Sequence, residues 1–215
     1  MGNYQKTMNE TEKEEILSIS KDLGEVGLDS LLEDGLFKDI PFVGTGISVV
    51  KLIHSASDRI LLSKIIHFIN VLELKNEQEI KEFKVKYFKY TDYNKIGSKI
   101  LLSIERADNL KKIKWLARSL RLFIGKEITK SVFLRLTSII NSAYVEDVLK
   151  IVAFDKQNEI TSNNDINVEK YVLEHLFSIG LLGNVGIDGG TADGRSSGTI
   201  YALNEFGKIM RNKII

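Results

Sequence analysis

The 215-residue chain contains no cysteine. Disulfide frameworks, thiolate zinc sites, iron–sulfur clusters and cysteine nucleophiles are thereby excluded. Histidine is scarce, with only His54, His67 and His175, so a zinc or non-haem iron site has to lean on carboxylates. The single proline, Pro41, argues against proline-rich linkers and a loop-dense all-β fold. The opening stretch MGNYQKTMNETEKEE is polar and acidic. It has neither the basic nor the apolar region of a secretory signal, and Thr7 falls one place late for a myristoylation pattern starting at Gly2. No apolar run approaches the ~18–20 residues that span a bilayer. A cytoplasmic protein is expected, with no metal and no cofactor.

Apolar residues make up 43% and charged residues 27%, the balance of a chain that buries a substantial core. The net charge of +1 conceals a segregation: residues 1–40 carry −6, residues 41–110 carry +3, residues 111–150 carry +6 and residues 151–215 carry −2. A basic middle of this kind can meet nucleic acid or anionic lipid, or it can neutralise the acidic head.

Periodicity predicts helices almost throughout. Residues 1–10 read as a disordered tail. Thr11 and Glu14 form a capping-box pattern opening a helix over 12–22, and a short helix follows at 26–36. Pro41 breaks the chain, and PFVGTGISVVKLI (41–53) is an apolar, glycine-punctuated segment. Ser57 and Asp58 can cap a helix at 59–74 that is apolar around most of its circumference, as in the central helix of a bundle. Helices follow at 77–89 and 93–106. Asp108 can cap a basic helix over 109–124, ending at Gly125. In that helix Leu110, Ile113, Leu116, Ala117, Leu120 and Phe123 form an apolar stripe, with Lys111, Lys112, Lys114, Arg118 and Arg121 mostly away from it.

Beyond residue 128 the pattern changes. Helices are predicted at 131–142, capped by Thr129 or Ser131, and at 144–153. A polar loop spans 155–167, and a helix occupies 168–180. An extended run at 181–187, a glycine-rich turn at 188–198, a strand at 199–204 and a terminal helix complete the chain. The residues Leu176, Gly180, Leu181, Leu182, Tyr201, Leu203 and Gly207 resemble winged-helix domains. There a helix ends in Leu-x-x-x-Gly-Leu-Leu, a hairpin wing follows, and Tyr-x-Leu-Thr-x-x-Gly starts the last helix. Asn204 stands where the pattern has Thr and can still serve as an N-cap. The predicted fold is therefore mainly α, with an N-terminal helical bundle (11–128) and a winged-helix-like domain with one β-hairpin (129–215).

Catalytic patterns are weak. Gly44-Thr45-Gly46 has neither the preceding strand nor the following Gly-Lys of a phosphate loop. DGGTADGRSSG lacks the alternating oxygen ligands of a calcium loop and reads as a wing tip. His54 and Asp58 lie at i,i+4 with no nucleophile in view. An enzyme is not expected. Winged helices often read DNA, yet the candidate reading helix carries Glu169 and Glu174 against Lys170 alone.

Residues 31–73, from LLEDGLFKDIPFVGTG through SDRILLSKIIHFINVLE, resemble a group of uncharacterised bacterial and prophage proteins akin to the alpha-helical abortive-infection group. That resemblance implies a role in phage–host conflict and carries no catalytic residues with it. The expected function is a non-enzymatic interaction protein, with a protein as its foremost partner. Alternatives are a DNA-binding regulator using Lys111, Lys112, Lys114, Arg118 and Arg121, and a membrane-active effector that releases the apolar hairpin 40–74. Pro41, Phe42, Val43, Ile47 and Val50 are its candidate membrane or partner contacts. Self-association is a further option.

Overall fold

A computed structural model describes residues 56–72, 90–155, 159–162, 168–190 and 197–215. The expectations for 1–10, 12–22, 26–36, 41–53 and 77–89 lie outside these residues. The described part is mainly helical, with seven α-helices and one three-stranded antiparallel sheet. The chain divides into two compact units, Met1–Phe133 and Leu134–Ile215.

In the first unit, α1 (Ala56–Leu72), α2 (Tyr90–Arg106) and α3 (Leu110–Ile124) pack on one another, followed by the start of α4 (Lys130–Ser142). The apolar spacing explains the contacts. Ile65, Ile66, Phe68 and Leu72 of α1, Ile96, Ile100 and Ile104 of α2, and Ile113, Leu116, Leu120 and Phe123 of α3 are all buried. The α2 and α3 sets recur at three- and four-residue steps, as an inward-facing stripe requires, while α1 buries four consecutive residues, Ser63 to Ile66. Phe123 stacks on Phe133 with ring centroids 5.2 Å apart. The start of α1 at Ala56 takes the expected caps Ser57 and Asp58 into the helix itself.

Three charged side chains, Lys64, Asp108 and Lys112, meet at the α2–α3 connection. Lys64 lies on α1 with only 6% of its surface exposed. Its Nζ donates to the carbonyls of Glu105 at 3.0 Å and Ala107 at 2.7 Å. These carbonyls close α2, where the last turn of any helix leaves acceptors without intrahelical donors. Asp108 pairs with Lys112 at 2.8 Å. The N-cap of α3 is Asn109 rather than Asp108, its side chain accepting from the Lys111 N–H at 2.8 Å. Asp108 is thereby left to hold Lys112.

α3 ends at Gly125, as expected. Gly125 has an ordinary φ of −68°, and Lys126 is the left-handed residue at φ 61°. The Glu127 N–H reaches the Leu122 carbonyl at 2.9 Å and the Lys126 N–H reaches Phe123 at 3.1 Å. This is a Schellman-type close with lysine where glycine is usual.

In the second unit the rest of α4 leads to α5 (Val145–Leu149), a 3₁₀ turn (Lys150–Asp155), β1 (Glu159–Thr161), α6 (Lys170–Ser178), β2 (Leu182–Asp188), β3 (Gly198–Leu203) and α7 (Glu205–Ile209). The chain continues as a π-helical turn, Met210–Ile214. As predicted, Thr129 caps α4, its hydroxyl accepting from the Val132 N–H at 3.3 Å. The helix expected at 144–153 is shorter and tightens into the 3₁₀ turn. The sheet order is β1-β3-β2. β1 was not expected, because the polar loop 155–167 has no alternation. It is three residues long, with Ile160 buried opposite Tyr201. Ser162 extends the pairing, its N–H donating to the Thr199 carbonyl and its hydroxyl accepting from the Thr199 N–H.

Asn204 locks the hairpin to the helices. Its Oδ1 accepts from the Gly207 N–H at 3.0 Å, capping α7. Its Nδ2 donates to the carbonyls of Gly180 at 2.9 Å and Leu182 at 3.3 Å. A threonine can make the cap but has no second donor for these carbonyls. Gly180, at φ 87°, closes α6 with the Leu181 N–H on the Leu176 carbonyl at 2.9 Å. Gly207 is required for a different reason: a Cβ there would lie 2.2 Å from the Leu181 carbonyl oxygen and 2.9 Å from Leu203 Cδ2.

Two stability outcomes follow. Gly207→Ala loses about 1–3 kcal/mol in urea denaturation through overpacking against Leu181. Lys64→Met loses about 2 kcal/mol at neutral pH, because the α2 carbonyls lose a charged donor. Burial lowers the Lys64 pKa below 10.5, against the opposing pull of Asp108 and Glu105. The unfolded chain therefore binds more protons than the folded one as pH climbs toward 10.5, and wild-type stability gains from this group over that window. Urea midpoints across alkaline pH should show wild type gaining on Lys64→Met; a constant gap would contradict it.

Candidate interaction surfaces

Two surfaces stand out among the described residues, one in each unit. The first lies on α6 and the β2–β3 hairpin. α6 turns Val172, Leu173 and Leu176 into the core. Lys170, Tyr171, Glu174, Phe177 and Ser178 are left on its solvent face, with Tyr171 65% exposed. Residues directly opposite in an antiparallel pair share a face of the sheet. The pairs Leu182–Leu203, Asn184–Tyr201 and Ile187–Thr199 therefore form one row. Leu182 and Leu203 are buried, and Tyr201 meets the Phe177 ring at a centroid distance of 5.6 Å. Ile187 continues the row outward and is 78% exposed. Val185 sits at the β-bulge between Asn184 and Gly186 and is also exposed. Exposed Glu169 and Glu174 and half-buried Asp188 accompany these apolar groups. Lys170 reaches Glu174 at 3.8 Å in an exposed pair that contributes little.

The second surface is the basic face of α3. Lys111 and Lys114 are exposed, and Arg118 and Arg121 are half-buried. They follow one another at steps of three, four and three residues, so they line a single edge of the helix. Lys112 is the correction. It is 3% exposed and held by Asp108, because its position falls on the inward side of the helix. A surface role for Lys112 is thus excluded by its burial. Trp115 is buried as well and adds no aromatic character to this face. Pro41, Phe42, Val43, Ile47 and Val50 lie outside the described residues.

Sequence spacing missed one polar pair. His175 Nδ1 lies 2.6 Å from Asp147 Oδ2, joining α6 to α5 across 28 residues of chain. The local pair considered from sequence, His54 and Asp58, has its histidine outside the described residues. A cavity of about 190 Å³ is lined by Phe154, Glu159, Ala202, Leu203, Lys208 and Arg211. Arg211 is already engaged there, donating to the Phe154 carbonyl at 3.1 Å and to Asn212 Oδ1 at 2.9 Å.

Among the described residues, no helix is long and apolar enough to cross a membrane. No family model, curated protein or solved structure matches the chain.

Proposed function

We propose that the chain is a non-enzymatic cytoplasmic interaction protein whose second unit is a winged-helix-like module used to dock a protein. The sheet order β1-β3-β2, with a helix leading into the β2–β3 hairpin and a further helix after it, supports the winged-helix reading. The observation that carries the docking reading is the exposure of Tyr171, Phe177, Val185 and Ile187 on α6 and the hairpin. Isolated exposed apolar residues need no explanation, but Phe177 meets Tyr201 and Ile187 extends the same sheet row outward, and apolar side chains on a shared row of this kind suit an interaction site. Glu169, Glu174 and Asp188 give this face the wrong sign for phosphates and the right sign for a protein with Lys or Arg around an apolar centre. The resemblance of residues 31–73 to the alpha-helical abortive-infection group supports a role in phage–host conflict.

A photo-crosslinker placed at residue 171 in the full chain should trap a protein from nuclease-treated bacterial lysate. Tyr171→Asp and Ile187→Asp should each lower capture of that protein about tenfold or more, with the melting temperature unchanged. Capture that ignores both substitutions, or that disappears with nuclease, overturns the docking reading. The conflict role is checked separately: phage plating efficiency should differ between cells with and without the gene, and equal plating across a broad phage panel removes that role.

A further inference from the structure

We infer that the outer edge of α3 is a binding surface for the phosphodiester backbone of a nucleic acid, separate from the protein-docking face of the second unit. Lys111, Lys114, Arg118 and Arg121 stand on one line of the helix. A helix rises 1.5 Å per residue, so the line is about 15 Å long. A duplex carries one phosphate charge per about 1.7 Å of axis, both strands counted, so a stretch of that length holds more charges than the line has cations. No acidic residue occurs anywhere in α3. The nearby Asp108 is already matched by Lys112. Arg118 and Arg121 also take part in interactions within the fold, and a guanidinium is the cation best suited to paired hydrogen bonds with phosphate oxygens.

A second observation points the same way. Lys126, exposed just beyond the end of α3, has φ 61°. A left-handed backbone is strained for any residue with a Cβ, and glycine is the usual choice there. The chain places its glycine one residue earlier, at Gly125, and a lysine at the strained position. Strain retained at an exposed position signals a side chain kept for what it does. Lys126 adds one more exposed cation at the C-terminal end of α3.

The same helix argues against a lipid surface. A membrane-binding helix keeps an apolar face free for the acyl boundary. In α3 that face, from Ile113 to Phe123 and including Trp115, is buried in the core. The surface can act through charge alone, and backbone contacts of this kind carry no base sequence.

The test is fluorescence anisotropy with the full chain and two labelled 20-mer probes, duplex DNA and single-stranded RNA. Binding should weaken with salt at a log–log slope of about −3 to −4, and the tighter probe identifies which nucleic acid is the source of the phosphates. Lys111→Glu with Lys114→Glu should weaken binding at least tenfold and flatten the slope by about two, with an unchanged melting temperature. Lys126→Gly supplies opposite signs: the melting temperature rises by about 2–4 °C while affinity falls. No binding to either probe at 50 mM salt overturns the inference, as does binding that ignores these substitutions. Sedimentation of the chain with phosphatidylserine vesicles, in the absence of nucleic-acid binding, overturns it in favour of lipid. None of these readouts depends on Tyr171 or Ile187, so failure here leaves the docking face untouched.

Discussion

A single ammonium group organises the first unit. Lys64 reaches from the most apolar helix to the two carbonyls where α2 ends. Burying a lysine is costly unless its protons find acceptors, and the end of a helix offers acceptors that nothing inside the helix can use. Each deficit offsets part of the other, though burial still lowers the Lys64 pKa. The contact also fixes where the chain must turn: Ala107, Asp108 and Asn109 have only three residues in which to close α2 and open α3. With Lys64 holding Ala107, Asp108 faces Lys112 and Asn109 caps α3. The direction of α3, and with it the outward aim of its basic edge, descends from that arrangement.

The second unit uses one amide where the first uses an ammonium. Asn204 caps α7 and also grips the carbonyls at the α6–β2 junction. Gly207 then allows the first turn of α7 to lie directly against Leu181. His175 and Asp147 add a tie between α6 and α5. Helix and hairpin are thus bound at their common root, which leaves their outer sides free to carry groups that contribute nothing to folding. That division of labour explains how Tyr171 and Ile187 can be so exposed on an otherwise well-buried unit.

Much of this was legible in the chain. The i, i+3, i+4 spacing located α2, α3, α4 and α6 to within a few residues, and the motif around Leu176, Gly180, Tyr201 and Gly207 placed the hairpin. The failures have physical causes. Lys112 looked like its basic neighbours because charge type does not show which side of a helix a residue takes; its partner Asp108 appeared instead to be the cap. β1 is too short for alternation to be visible, and it exists because β3 offers it a ladder. Gly125 does end α3, as its sequence position indicated, while the left-handed turn beyond it falls on Lys126 and is visible only in the backbone. His175 and Asp147 meet across a distance in sequence that no local spacing rule spans. The exposed apolar groups of α6 and the hairpin were not located in advance, since an exposed Ile187 and a buried one are spelled alike.

The bulge at Val185 has a consequence of its own. β2 is an edge strand, and a flat edge invites pairing with another strand, which is how sheets recruit one another and aggregate. The extra residue between Asn184 and Gly186 interrupts the ladder and bends the strand. At the opposite edge, β1 is only three residues long. Both margins of the sheet are therefore blunted against further pairing. A hairpin blunted in this way offers its exposed side chains rather than a free ladder, and can stay apolar without becoming a seed for its own copies.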